Sequence, residues 1–174
     1  VTFIKAILQW FDFKRRGVKV WPGAYVYTTA KVGNCVSIGR NAEIGNKVEI
    51  GANSKIGAGA FLPEGVVIGE GCFIGPYAIF SNDMYPPSPK SLWKKTIVQD
   101  KASVGAGVKV RPGITIRSGA MVGMGAVVTR DVGSNEVVAG VPAKIIGDTR
   151  NGKNTRRKSD AVANKKIRVH KEEH

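Results

Sequence analysis

A repeat of six residues constrains this chain more than any other feature. Val32-Gly, Ile38-Gly, Ile44-Gly, Ile50-Gly and Ile56-Gly follow without a slip, and after Leu62-Pro come Ile68-Gly and Ile74-Gly. The fifth residue of each unit is small or β-branched: Val36, Ala42, Val48, Ser54, Ala60, Val66, Cys72 and Ala78. A helix returns apolar residues every three or four positions and a half-buried strand every two, so a period of six is neither. Six extended residues make one flat side of a coil, and three sides close a triangular turn of roughly 18 residues that stacks on its neighbours as a parallel β-solenoid. The aliphatic residue opening each unit is expected to point inward, and the glycine after it suits a corner where the backbone bends tightly. One repeat cannot bury its own apolar face, so stability comes from stacking.

The ladder starts imperfectly at Val20 and Val26, runs cleanly to Phe80, and there fails. From Ser81 to Thr96 no aliphatic-glycine pair occurs, and Pro86, Pro87 and Pro89 exclude both a helix and an interior strand. The segment 81–97 is predicted to leave the solenoid wall, and such a break in a strict repeat is where function concentrates. The ladder resumes in phase at Val98 and continues through Val104, Val110, Ile116, Val122 and Val128; the count alone does not assign Val98 to a wall. Gly69-Glu-Gly71 followed by Gly75 imitates a dinucleotide loop, but its spacing is that of the repeat.

The flanks differ. Residues 1–17 read as a short helix with Ile4, Ile7, Leu8 and Phe11 on one stripe, Phe3 and Trp10 widening it, and Lys14, Arg15, Arg16 and Gly17 ending it. This helix is expected to cap the open end of the solenoid over 18–147; the alternative is weak contact with a membrane surface, since Trp and Phe stand beside Lys and Arg. Residues 148–174 read as a basic, flexible tail. The formal charge is +14, of which nine Lys/Arg against four Asp/Glu from Asp148 to His174 supply +5, leaving +9 on the rest. Such an excess suits polyanionic small molecules, nucleic acid or an anionic membrane. No apolar run reaches the roughly 18 residues of a membrane span and the start lacks a secretory pattern, so a cytoplasmic location is expected. Cys35 and Cys72 lack metal-site spacing; both read as reduced and structural, Cys72 buried in the small-residue column.

These repeats resemble the hexapeptide-repeat acyltransferases. The resemblance implies an all-β fold, a left-handed parallel β-helix with a short N-terminal helix, one excursion loop and a basic tail. The general crossover rule alone would predict the right hand. The closing run Val128 to Gly147, with Gly140-Val-Pro-Ala-Lys144, is similar to the C-terminal signature of acyl-CoA-dependent members. Phe80-Ser-Asn82-Asp83 followed by Tyr85-Pro86 looks like the excursion of nucleotide-sugar N-acetyltransferases, although Pro87 stands where members often carry arginine.

Histidine narrows the chemistry. The only two, His170 and His174, lie in the tail, so the coils offer no histidine trio for a metal-dependent hydratase and no metal is expected. They also offer no core histidine to deprotonate a sugar hydroxyl, as the O-acetyltransferases of this fold do. An amino-sugar nitrogen, once neutral, attacks a thioester readily, which favours N-acylation. The implied activity is therefore acetyl-CoA-dependent N-acetylation of a nucleotide-linked amino sugar for lipopolysaccharide or S-layer type glycans. A sugar O-acetyltransferase and a non-catalytic binding subunit stand as alternatives. The resemblance implies Asn82 and Asp83 as catalytic and substrate-binding groups, with Tyr85 beside them. Backbone around Gly119, Ala120, Gly125 and Ala126 is expected to hold the cofactor's arm, and Arg130 and Lys144 its phosphates. A homotrimer with sites between subunits is implied, and no nucleic-acid partner is expected, because the tail lacks interleaved aromatics.

Overall fold

The structure, a computed structural model, describes residues 2–151, with side chains from Leu8 onward. Two-residue strands recur every six positions and stack into three walls of eight, six and five strands. Parallel partners stand 18 residues apart, as in Lys19 to Ser37 on the first wall, Tyr25 to Glu43 on the second and Lys31 to Glu49 on the third. The chain is a left-handed parallel β-helix. Ile38, Ile44, Leu62, Ile74, Phe80, Val98 and Ile116 are fully buried along its axis, as are Val36, Val48, Ala78 and Ala102 of the small column. Ser54 is buried there too, its hydroxyl donating to Gly69 O at 2.8 Å and accepting from Cys72 N at 3.0 Å. Burial pushes the Cys72 thiol pKa up, and the thiol donates to Gln99 O at 3.1 Å.

The corners divide two jobs between two positions. The residue directly after each aliphatic is not where the backbone adopts a left-handed turn. Gly39, Gly57 and Gly75 are required by the next coil: a Cβ at Gly57 would stand 2.4 Å from Pro76 N, and at Gly75 2.5 Å from Ala106 N. The left-handed conformation falls two residues later, at Asn41, Lys47, Asn53, Gly59, Gly65, Tyr77, Lys101, Gly107 and Gly125. The expectation that the repeat glycine serves a tight bend is thereby corrected; its role is coil-to-coil approach.

The walls settle where the excursion leaves. Val67 on the third wall pairs with Ile97, 30 residues on instead of 18, so the loop adds twelve residues and skips no wall. It emerges between the second-wall strand Ile79–Phe80 and the third-wall strand Ile97–Val98. Its one regular piece is a 3₁₀ turn, Lys90–Leu92. Pairing resumes at Thr96, whose O accepts from Val67 N and whose buried hydroxyl accepts from Gly113 N at 3.1 Å.

Both ends are closed. Along the walls each coil donates N–H groups to the coil that follows, so wall carbonyls of the first coil such as Val32 O accept from no neighbouring strand. The helix Thr2–Arg15 answers them with donors: Gln9 Nε2 donates to Tyr27 O at 3.2 Å, and the Arg16 guanidinium to Val32 O. Phe13 is buried between them in the helix turn sequence. Among the described side chains the docked face is Gln9, Phe13 and Arg16, and Leu8 and Phe11 of the expected stripe are not on it. Leu8, Trp10 and Phe11 stand exposed, and the side chains of Phe3, Ile4 and Ile7 lie outside the described ones. At the far end Glu136–Ala139 joins the first wall and turns through Gly140-Val-Pro-Ala into the antiparallel strand Lys144–Asp148. Thr149 remains tied, its N donating to Asn135 O and its hydroxyl to Gly119 O. The rest of the expected tail, 152–174, with His170 and His174, lies outside the described residues.

Two glycine substitutions separate the two corner roles. Gly57→Ala meets backbone that cannot yield and should lower unfolding free energy by about 3 kcal/mol or more. Gly107→Ala has nothing within 4 Å of its Cβ and meets only the strain of its φ of +67°, about 1 kcal/mol. Urea unfolding of both at one protein concentration checks the order.

Candidate functional site

Three edges run along the prism, and they carry different groups. The edge between the second and third walls holds the excursion. Asn82 at its base donates from Nδ2 to Glu64 O on the preceding coil, and Lys94 N donates back to Asn82 O, closing the neck of the loop. Lys90 reaches down to the Glu64 carboxylate at 2.7 Å, and this hydrogen bond holds Glu64 below the usual carboxyl range. Lys90 also lies over the Trp93 ring, 5.1 Å from its centroid, while the indole N–H donates to Ser88 O.

Asp83 organises the loop. Its carboxylate accepts from Ser88 Oγ at 2.6 Å, from Ser88 N at 2.8 Å and from Tyr85 N at 3.1 Å. The Ser88 hydroxyl, followed by the two backbone donors, holds its pKa below the ordinary value. Asp83 is therefore an anion at neutral pH and a weak base, suited to face a cation rather than to keep a proton. Tyr85 projects from the loop with 79% of its surface exposed.

Further along the same edge stand cations. Arg111, one coil on, donates to Thr129 O and touches Met84 Sδ at 3.0 Å, so the loop rests against the next coil as well. Arg130 and Lys144, far apart in sequence, line one groove of about 280 Å³ with Val128, Val138, Ala143 and Ile145. The groove's carboxylates are engaged, Asp131 by Thr115 N and Glu136 by Gly133 N, whereas Arg130 and Lys144 form no ion pair among the described residues. Below the loop a second groove of about 350 Å³ is lined by Lys47, Glu49, Glu64, Lys90, Trp93, Lys94 and Lys95, with Lys47 and Lys90 paired to Glu64. Neither Arg111 nor this lysine groove was marked by sequence pattern. Lys90, Lys94 and Lys95 of the excursion meet Lys47 of a coil only once the loop's placement against the wall is known.

Asn82, Asp83, Tyr85 and Arg130 follow second-wall strands and share one edge, whereas Lys144 begins the antiparallel strand beside the first wall and meets Arg130 only in the groove over the far end of the coils; the glycine pairs are separated as well. Gly119 lies at the corner between the third and first walls, beneath Asn135 and Thr149. Gly125 lies between the first and second, stacked one coil above Gly107, and neither has an atom within 4 Å of a Cβ position. Ala120 and Ala126 point into the core, and the N–H groups of all four are bonded within the fold. An arm running along the prism axis passes one of these corners and not both. The open one is Gly107 with Gly125.

The stacked hexads and the single excursion define a hexapeptide-repeat protein. Two family models match, the bacterial transferase hexapeptide (six repeats) over residues 47–82 and the hexapeptide repeat of succinyl-transferase over 96–130. The chain carries the hexapeptide repeats that these models describe. No curated protein matches the sequence. Among solved structures, PerB from Caulobacter crescentus, in complex with CoA and GDP-perosamine, is 27% identical over 82% of this chain and 66% of its own, with a TM-score of 0.66. The acetyltransferase domain of PglB from Neisseria gonorrhoeae, in complex with acetyl coenzyme A, is 23% identical over 75% of this chain and 58% of its own, with a TM-score of 0.66. AntD, an N-acyltransferase from Bacillus cereus, in complex with dTDP-4-amino-4,6-dideoxyglucose and Coenzyme A, is 21% identical over 88% and 96%, with a TM-score of 0.55. The chain thus spans about two thirds of PerB. The PglB and AntD likenesses concern the fold.

The Asp83 contacts generate a test of loop order. Because the folded pKa is lowered, this ordering is complete at neutral pH and is lost as pH falls below the ordinary 3.8 and through the folded value. Asp83→Ala should lack it at every pH. Hydrogen exchange of the 81–96 amides should then accelerate by about tenfold or more, while the amides of the walls keep wild-type protection.

Proposed function

We propose that the chain is an acyl-CoA-dependent N-acetyltransferase acting on the amino group of a nucleotide-linked amino sugar, in glycan biosynthesis of the lipopolysaccharide or S-layer type, with acetyl-CoA as co-substrate. The observation that carries this reading is the presence of Arg130 and Lys144 in one groove at the end of the coils, with Arg130 two coils beyond an excursion whose base holds Asn82 and an anionic Asp83. Two cations with no ion pair among the described residues suit phosphate, and a fixed carboxylate suits an amine. The likeness to PerB, which was solved with CoA and a nucleotide-linked sugar, supports both halves.

In this reading the phosphates of acetyl-CoA rest on Arg130 and Lys144, and its thioester lies toward the excursion. The amino sugar stands at Asn82 and Asp83, with Tyr85 beside it. Its nucleotide diphosphate suits the lysine groove below the loop, where the Trp93 face adds a surface for a ring. The neutral amine attacks the thioester carbonyl, the C–N bond forms, and the C–S bond breaks. The amine proton leaves with the sulfur, giving an amide and free CoA thiol. Asp83 stabilises the positive charge that develops on nitrogen, and backbone N–H groups are the donors for the carbonyl oxygen. The weak basicity of Asp83 fits an amine acceptor, which loses its proton once the C–N bond has formed, better than a hydroxyl, which needs a base from the start.

A homotrimer belongs to the same proposal. Phe61 and Ile79 on the second wall, Phe73 and Met121 on the first, and Tyr77 and Met124 at the corner between are all exposed. This apolar ridge flanks the open Gly107–Gly125 corner. A closed threefold ring covers it and sets that corner against the Asn82–Arg130 edge of the next copy, so one cofactor meets both. Tyr77→Lys with Phe61→Glu should convert the assembly to monomers in light scattering and abolish turnover.

The deciding experiment mixes the protein with acetyl-CoA and a panel of nucleotide-linked amino sugars and their hydroxyl counterparts, and follows free thiol. Release with amines only is expected. Arg130→Ala and Lys144→Ala should each raise KM for acetyl-CoA by about tenfold with kcat little changed, whereas Asn82→Ala and Asp83→Ala should abolish turnover. Release with hydroxyl acceptors but no amine overturns the acceptor class, and full activity of both loop variants removes the loop from the chemistry.

A further inference from the structure

The face of the N-terminal helix opposite its docked side has no counterpart in the transferase reading. Gln9, Phe13 and Arg16 attach the helix to the first coil. The other face carries Leu8, Trp10 and Phe11, which are 62%, 57% and 60% exposed. Trp10 and Phe11 meet edge to face at 5.2 Å, and Lys14 lies over the Trp10 ring at 5.5 Å. Arg15 lies one turn beyond Phe11 on the same side, and Lys19 and the half-exposed Trp21 continue the surface onto the first coil. The one acid of this helix, Asp12, is held as an anion by Arg16 and Arg15, so it offsets Arg15 in part, whereas Lys14 forms no ion pair among the described residues.

From this arrangement we infer that the helix docks the protein onto an anionic lipid surface. An apolar centre of Leu, Trp and Phe with a lysine–arginine rim is the pattern of an interfacial helix, whose affinity is the sum of buried apolar area and attraction to acidic headgroups. Charge decides against the simplest rival occupant, a second copy of the same face. Self-pairing would oppose Lys14 and Arg15 with their own equivalents, in a chain already carrying a net +14. The docking leaves the walls free, because the helix lies across the end of the coils and the excursion leaves a side edge. In the threefold ring proposed above the three helices stand at one end and the contact becomes trivalent; the inference stands without the ring and without the enzymatic assignment.

Cosedimentation of the full chain with vesicles tests it. Vesicles of phosphatidylcholine containing about 30% phosphatidylglycerol should bind the wild type at about 50 mM NaCl, and release it at about 500 mM. Vesicles of phosphatidylcholine alone should bind it far less. The triple variant Leu8→Ser, Trp10→Ser, Phe11→Ser keeps every charge of the chain, the basic tail included, and should partition about tenfold less or weaker still. Lys14→Glu with Arg15→Glu, which keeps the apolar centre, should lose the preference for the acidic lipid. Far-UV circular dichroism should show both variants folded, since every altered side chain faces outward. Equal binding by wild type and triple variant assigns the effect to the tail and overturns the inference. So does absence of wild-type binding at low salt. Self-association of the wild type that the triple variant abolishes, read by light scattering, overturns it in favour of a second copy.

Discussion

Contact between the backbones of successive coils is the constraint on which the rest of the molecule depends. Each wall strand of the repeat, from Lys19–Val20 to Val127–Val128, is only two residues long, so no single pairing is worth much, and the coils hold because the same few hydrogen bonds recur at every turn. That recurrence demands that corners stack as closely as walls. Gly39, Gly57 and Gly75 permit it by offering hydrogen where the next coil's backbone passes. The aliphatic column then fills the axis, and the small column trims the corners. Once the interior is spent on packing, chemistry is left to the outward positions and to the one segment released from the repeat.

The excursion shows how a released segment is still fixed. Its neck is tied by Asn82 and Lys94, its flank by Lys90 on Glu64, its tip by three hydrogen bonds to Asp83, and its upper side by Arg111. The contacts reach coils on both sides of the insertion. A loop of this kind is a surface element with a defined shape, and its carboxylate is charged because the loop's own donors surround it.

The period was legible in the sequence because nothing except a coil of three flat sides returns an aliphatic residue every six positions. The location of the break was legible for the same reason. Which wall received Val98 was not, since a multiple of six is compatible with any wall, and only the pairing of Val67 with Ile97 decides it. Arg130 and Lys144 were marked in the sequence only as phosphate contacts; that they line one groove, and that Arg111 and the lysine groove exist, depends on which outward side chains the fold brings together. The helix was misjudged on one point for a physical reason. An apolar stripe announces that a face seeks cover, but the open end of a solenoid offers bare carbonyls, and these select Gln9 and Arg16 over Leu8 and Phe11. Gly119 and Gly125 looked equivalent in sequence and stand at different corners, because six residues carry the chain one third of the way round.

The stacking of the walls also makes the molecule a ruler with fixed graduations. Strand Ile79–Phe80 at the root of the excursion is followed on the same wall by Lys109–Val110 and then by Val127–Val128 beside the Arg130–Lys144 groove. Those two steps of about 4.8 Å set the span between loop and groove at about 10 Å along the axis. Because a coil is either present or absent, that span changes only in whole increments. Relatives with one coil more or fewer between the two landmarks would be matched to ligands of discretely different length, and removing a coil by design would shorten the reach of the edge without altering any residue that lines it.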